Sequence, residues 1–180
     1  MDWTKAKNIL IIALLITNAI IATTYAVKVH EKNKEWSAEA AYTKAYFEDI
    51  GVSIQTDIPS KPLKMAVLFV RFETSDAQEP AAPAYDGSIL IESASSMVSI
   101  VPVRRGETKR LIASASYALL KYAAAAASNG EEPADIRDIE LVYWVDYTEH
   151  DEKISEDTAI PAWKLSLSDD KVFYVNAYGE

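Results

Sequence analysis

The run "NILIIALLITNAIIATTYAV", residues 8–27, decides how the rest of the chain is read. It contains no charged residue. Wound as a helix at 1.5 Å per residue, about twenty residues cover about 30 Å, the thickness of a bilayer's hydrocarbon core. A secretory signal has a shorter apolar stretch, roughly 7–15 residues, closed by a small-residue cleavage site. Thr24-Tyr25-Ala26 is a poor version of such a site. The sequence therefore favours a retained anchor over a leader that is cut away.

Working outward, residues 1–7 form a short tail with Lys5 and Lys7, while Lys28, Lys32 and Lys34 follow the run. Positive charge on both sides leaves the positive-inside count undecided. The small size of the tail, against a whole domain behind the run, favours a cytoplasmic N-terminus and an outer domain. The expected division is a cytoplasmic tail (1–7), a transmembrane anchor (8–27), a juxtamembrane helix (28–50) and an extracytoplasmic domain (51–180).

The anchor carries features beyond greasiness. Asn18 sits near its middle, where an amide side chain seeks an interhelical hydrogen bond. At helical spacing Asn18, Ala22 and Ala26 share one face, and Ala13, Thr17 and Thr24 fall on nearly the opposite one. Small residues let a second helix approach closely. They are also tolerated in spans that meet only lipid, so two readings stand. In one of them this helix packs against other membrane helices, on one side or on both.

Past the anchor, Trp36, Ala40, Thr43, Phe47 and Ile50 keep a helical period, with Gly51 placed as a C-cap. This predicts a helix over 28–50 that continues the span with little break. "VSIQT" and "LKMAVLFVRFE" read as strands separated by the Pro59–Pro62 turn. Residues 75–87, "SDAQEPAAPAYDG", read as a flexible proline-rich loop. "SILIES" and "SMVSIVPV" read as a strand pair, and "GETKRLIASASYALLKYAAAAASNG" as a helix leaving at Gly130. "IRDIELVYWVDY" is a long strand, and "AIPAWKLSLSDDKVFYVNAYG" a hairpin turning at "SDDK". The expected fold is α+β: a transmembrane helix, then two helices on a mainly antiparallel sheet of six or seven strands.

Composition narrows function. Without residues 1–27 the chain has a net charge of −10, which repels phosphate backbones, so nucleic acid is a poor partner. The absence of cysteine excludes disulfides, thiolate zinc sites and cysteine nucleophiles. His30 and His150 are the only imidazoles, and neither lies in a catalytic setting. No G-x-S-x-G, H-E-x-x-H, phosphate-loop or dinucleotide motif occurs. Residues 146–157 bring six carboxylates together but lack the spacing and turn glycine of a calcium loop, which favours a solvated acidic loop. Neither an enzyme nor a cofactor is expected. Tyr143, Trp144, Tyr147, Trp163, Phe173, Tyr174 and Tyr178 crowd the last forty residues. Alternation turns some of them away from the core, and Tyr143, Tyr147, Trp163, Tyr174 and Tyr178 are a candidate protein-binding surface.

Three stretches together resemble the YycI (WalI) family of two-component-system regulators. They are "MDWTKAKNILIIALLITN" at the start, "LIASASYALLKYA" followed by "DIRDIELVYWVDY", and the ending "IPAWKLSLSDDKVFYVNAYGE". They cover about a third of the chain. Its middle is shorter than is usual in that family. The resemblance implies a non-enzymatic, membrane-anchored protein of Gram-positive bacteria. Its implied partners are a WalK-type sensor histidine kinase and a YycH-type regulator, met largely through transmembrane helices in the control of cell-wall metabolism. A second reading is a ligand- or protein-binding outer module that uses the Tyr/Trp-rich C-terminal sheet.

Overall fold

A computed structural model describes residues 3–74, 83–93, 98–145 and 156–179. The chain opens with one unbroken helix, α1 (Trp3–Asp49). Its 47 residues correspond to about 70 Å at the usual rise. The apolar run and the residues that follow it are therefore a single rod, which closes at Gly51 with φ of 81°. Val52 N–H donates to Phe47 O at 2.8 Å and Gly51 N–H to Glu48 O at 3.1 Å. Only a residue without a Cβ takes that left-handed turn at no cost.

The rest is α+β, with one further helix, α2 (Ala115–Ser128), and nine strands among the described residues. These are β1 (Lys64–Met65), β2 (Leu68–Thr74), β3 (Ala84–Asp86), β4 (Ile89–Ser93), β5 (Val98–Arg105), β6 (Arg110–Leu111), β7 (Ile136–Val145), β8 (Glu156–Leu167) and β9 (Val172–Asn176). Seven form a mixed sheet in the order β3-β4-β7-β8-β2-β5, with β9 also on β8, while β1 and β6 pair separately. The β4–β7 pairing is parallel and the others are antiparallel. The sheet curls into a nearly closed barrel, and Arg105 of β5 reaches Asp86 of β3 through two hydrogen bonds of 2.7 and 2.9 Å. That contact bridges the two ends of the strand order. It also holds the Arg105 guanidinium above its ordinary pKa, chiefly by hydrogen bonding to Asp86.

Strand β8 organises the sheet. Residues 156–159 pair with β2, residues 162–166 pair with β9, and β7 runs along 160–167. Pro161 sits between the two segments, has no N–H to lose, and accepts from Ala177 N–H at 2.9 Å. The hairpin into β9 turns at residues 168–171, with Asp170 at φ 62°, as "SDDK" predicts. The core lies between this sheet and one face of α2, where Ala115, Ala118, Leu119, Tyr122, Ala123 and Ala126 are buried. The alanines keep that face low, so helix and sheet approach closely.

Several expectations are corrected. The outer domain has one helix of its own, and the other helix on its core is the end of α1. Residues 106–114 are not helical. Gly106 packs so closely on Val67 that a Cβ would meet Val67 Cγ2 at 2.9 Å, and Leu111 belongs to β6. Helix α2 begins only at Ser114, whose Oγ accepts from Tyr117 N–H at 3.2 Å. "VSIQT" makes a single bridge, Ile54 to Ile136, rather than a strand. "SILIES" and "SMVSIVPV" do not pair with each other; β4 joins β3 and β7, and β5 joins β2. The sheet is mainly antiparallel as expected, with β4–β7 its one parallel pair among the described residues, because β4 and β7 are joined through β5, β6 and α2 and not by a hairpin.

Candidate membrane-helix interface

Residues 10–27 of α1 lie wholly exposed on a helix long and apolar enough to serve as a membrane anchor or a signal sequence. Within this segment the threonines already satisfy their own hydroxyls. Thr17 Oγ1 donates to Ala13 O at 2.9 Å, Thr23 to Ala19 O at 2.8 Å and Thr24 to Ile20 O at 2.8 Å. Each therefore shows its neighbours a small surface with no donor left over, which hydrocarbon tolerates. Asn18 differs. Among the described residues, nothing hydrogen-bonds its side-chain amide. An amide left unpaired in hydrocarbon costs about 2–7 kcal/mol.

The far end of α1 is part of the domain core. Trp36, Thr43 and Phe47 are buried, Phe47 completely. Glu39 Oε1 accepts from Ser114 Oγ at 2.6 Å while that same Oγ caps α2. A carboxylate is thereby placed at the positive end of α2, where the helix dipole favours it. Ser53 N–H donates to Asp135 Oδ1 at 2.7 Å just beyond the rod's end. Domain and helix are joined at both ends of this contact.

One helical phase links the two halves. At 100° per residue, Asn18 and Ala22 lie within about 40° of the direction set by Trp36, Thr43 and Phe47, and Ala26 about 80° from it. Ala13, Thr17 and Thr24 lie within about 20° of Tyr42, on the side turned away from the domain. Both candidate faces in the span are free. One lies beneath the domain, and the other continues outward as an exposed line that includes Tyr42 and Tyr46.

The structure divides the C-terminal aromatic set. Tyr143 and Trp163 point into the core, so they present no surface, which corrects their place in an exposed face. Tyr143 OH donates to Ala66 O at 3.0 Å and Trp163 Nε1–H to Ala113 O at 3.0 Å, so both rings tie the sheet to loops before β2 and α2. Tyr178 is half-buried, donates to Met65 O at 3.2 Å and lies under the Arg110 guanidinium, 4.6 Å from the ring centre. Tyr174 is also half-buried. Its ring stacks on Trp144 with centroids 4.0 Å apart, and its hydroxyl donates to Glu92 Oε2 at 2.9 Å. Lys164 Nζ completes this group at 2.7 Å from Glu92 Oε1. Burial first, then Glu92, pushes the Tyr174 hydroxyl well above its ordinary pKa. Burial likewise raises Tyr122, Tyr143 and Tyr178. Tyr147, His150 and most of the acidic run 146–157 lie outside the described residues, as do 75–82 of the proline-rich loop. Among the described residues, no three His, Cys, Asp or Glu side chains are grouped to hold a metal ion.

Sequence reasoning missed the outward line of Tyr42 and Tyr46. Their signal was available: Tyr42 lies about 120° round the helix from Trp36, and Tyr46 about 80° from it on the same side, where its ring packs edge-on against Phe47. It also missed the Glu92–Lys164–Tyr174 group, which needs strands β4, β8 and β9 side by side. Comparison with protein-family models, with curated proteins and with solved structures gave no match.

Proposed function

We propose that this chain is a membrane-anchored, non-enzymatic regulator of a WalK-type sensor histidine kinase, as its resemblance to the YycI (WalI) family implies. Residues 1–7 lie in the cytoplasm and the α+β domain outside it. The span contacts the kinase and a YycH-type regulator, and through them biases control of cell-wall metabolism. The observation that carries the reading is the single rod: α1 runs without a break from an exposed apolar segment with an unpartnered Asn18 into the core at Phe47. A load on the domain must then turn or shift the span, and the reverse holds. A span biases a kinase only by binding one of its states better than the other. An interhelical hydrogen bond in a membrane averages about 0.6 kcal/mol, enough to tilt a poised equilibrium.

The test replaces Asn18, Ala22 and Ala26 together by leucine in the full chain. Co-purification with the kinase from membranes should fall while membrane insertion is kept. Unchanged co-purification would refute the assigned face. One further observation favours the second reading, an outer binding module: the half-exposed Trp144–Tyr174 stack beside Glu92 and Lys164. In that reading the domain binds its ligand without the span.

A further inference from the structure

A cavity of about 180 Å³ lies between the end of α2 and the β8–β9 hairpin. Its wall is apolar, with Ala126, Ala134, Leu167 and Phe173 beside Tyr122. An apolar cavity of about 150 Å³ holds a benzene-sized guest, so this one has room for about six to eight heavy atoms. Its mouth is acidic. Glu131, Glu132 and Asp169 stand there exposed, against one cation, Lys171. Lys171 Nζ is matched to Asp169 at 2.8 Å, which leaves the two glutamates.

Two independent observations point to a guest. Helix α2 has no basic residue in its last turn, and Glu131 and Glu132 follow it. The negative end of the helix dipole thus meets like charge where a cation is the usual complement. The second observation is Tyr122, only 7% exposed. Its hydroxyl oxygen accepts from Ala134 N–H at 2.7 Å, and both residues line the cavity. Among the described residues, nothing accepts the hydroxyl's own proton. A buried donor without an acceptor is costly, and an oxygen on the guest removes that cost. The rings of Tyr122 and Phe173 meet edge to face with centroids 5.3 Å apart, and aromatic carbon beside a cation adds attraction.

We infer that this cavity binds a small vicinal amino alcohol. Its hydrocarbon part lies on Phe173 and Leu167, its ammonium at Glu131, Glu132 and the end of α2, and its oxygen accepts the Tyr122 proton. Each part answers a different feature. An anion would be repelled at the mouth, and a drug-sized ligand needs about 300 Å³ or more. Among the described residues no three carboxylates are grouped for a metal ion, so the cation is one that brings its own apolar body. The site belongs to the outer domain and stands apart from the span, so it goes beyond the regulator reading and does not rest on it.

The test titrates trans-2-aminocyclohexanol into the full chain in lipid nanodiscs at neutral pH, followed by calorimetry. Half-saturation is expected at roughly 1 mM, with cyclohexylamine and cyclohexanol each about fivefold weaker. Glu131→Gln combined with Glu132→Gln should weaken the amino alcohol roughly fivefold and leave cyclohexanol unchanged. Tyr122→Phe should bring the amino alcohol down to the level of cyclohexylamine. That change also takes the acceptor from Ala134 N–H, so Ala125→Leu is measured beside it. Ala125 is half-buried on the cavity wall, and leucine there suits the helix, fills the space and should abolish binding. No saturable binding of the amino alcohol, equal affinity for cyclohexanol, or undiminished binding by the Ala125→Leu chain would overturn the site. Each of these results leaves the regulator reading standing.

Discussion

Lengthening α1 between the span and the domain tests whether the two act as one body. Residues 28–35 are all exposed, so alanines added there disturb no packing. Each addition turns the span about 100° against the domain and lifts the domain about 1.5 Å. One residue puts the Asn18 face about 100° out of phase and two residues about 200°. Four residues leave it about 40° off and about 6 Å longer, and seven leave it about 20° off and about 10 Å longer. Loss of one interhelical contact worth about 0.6–1.7 kcal/mol changes a poised equilibrium about 3- to 18-fold. The assay is kinase output in cells that hold equal amounts of each membrane-inserted variant. Output should depart from wild type with one or two added residues and return with four and with seven. A level that ignores phase, flat or declining steadily with length, would refute the rigid coupling of span and domain.

Three further outcomes follow from the packing. Phe47→Ala should cost about 3–5 kcal/mol, a large part of the roughly 5–15 kcal/mol that holds a domain together. Urea unfolding followed by tryptophan fluorescence checks this, and a loss under about 1 kcal/mol would mean that α1 is not part of the core. Trp163→Phe removes the only N–H that the ring gives Ala113 O and should cost about 1–3 kcal/mol by the same measurement, with no loss expected if that carbonyl meets water. Raised tyrosine pKa values make alkaline pH the weak side. A group held protonated by the fold contributes fully below its unfolded pKa near 10 and loses that contribution as pH climbs through and beyond it. The urea midpoint should therefore hold to about pH 9 and fall above about pH 10. Tyr174→Phe should fall less steeply; parallel curves would show that the Tyr174–Glu92 bond carries no such weight.

Local signals in the chain were read well. The uncharged run, the glycines that end both helices, the strand at 136–145 and the "SDDK" turn each depend on neighbours in sequence. The errors came where distant residues decide. "SILIES" found its partners in β3 and β7 because the sheet curls, and no short pattern encodes that. Residues 106–113 have the composition of a helix, yet contact with Val67 and pairing with β1 hold them extended until Ser114 can cap α2. The anchor faces were legible because helical phase is arithmetic on sequence. Their relation to the domain was not, since it required knowing that α1 has no break at residue 28. Tyr143 and Trp163 were misjudged because alternation says which rings share a side without saying which side is inside.

The unbroken rod in the membrane is the claim on which the rest depends, and distance between two spin labels measures it directly. Cysteines placed at Thr24 and Tyr46, both exposed, are the only thiols in the labelled protein. In membranes the pulsed dipolar spectrum should give one narrow peak near about 33 Å, twenty-two residues of helical rise. A broad or shorter distribution, or a mature chain that has lost position 24, would contradict the account.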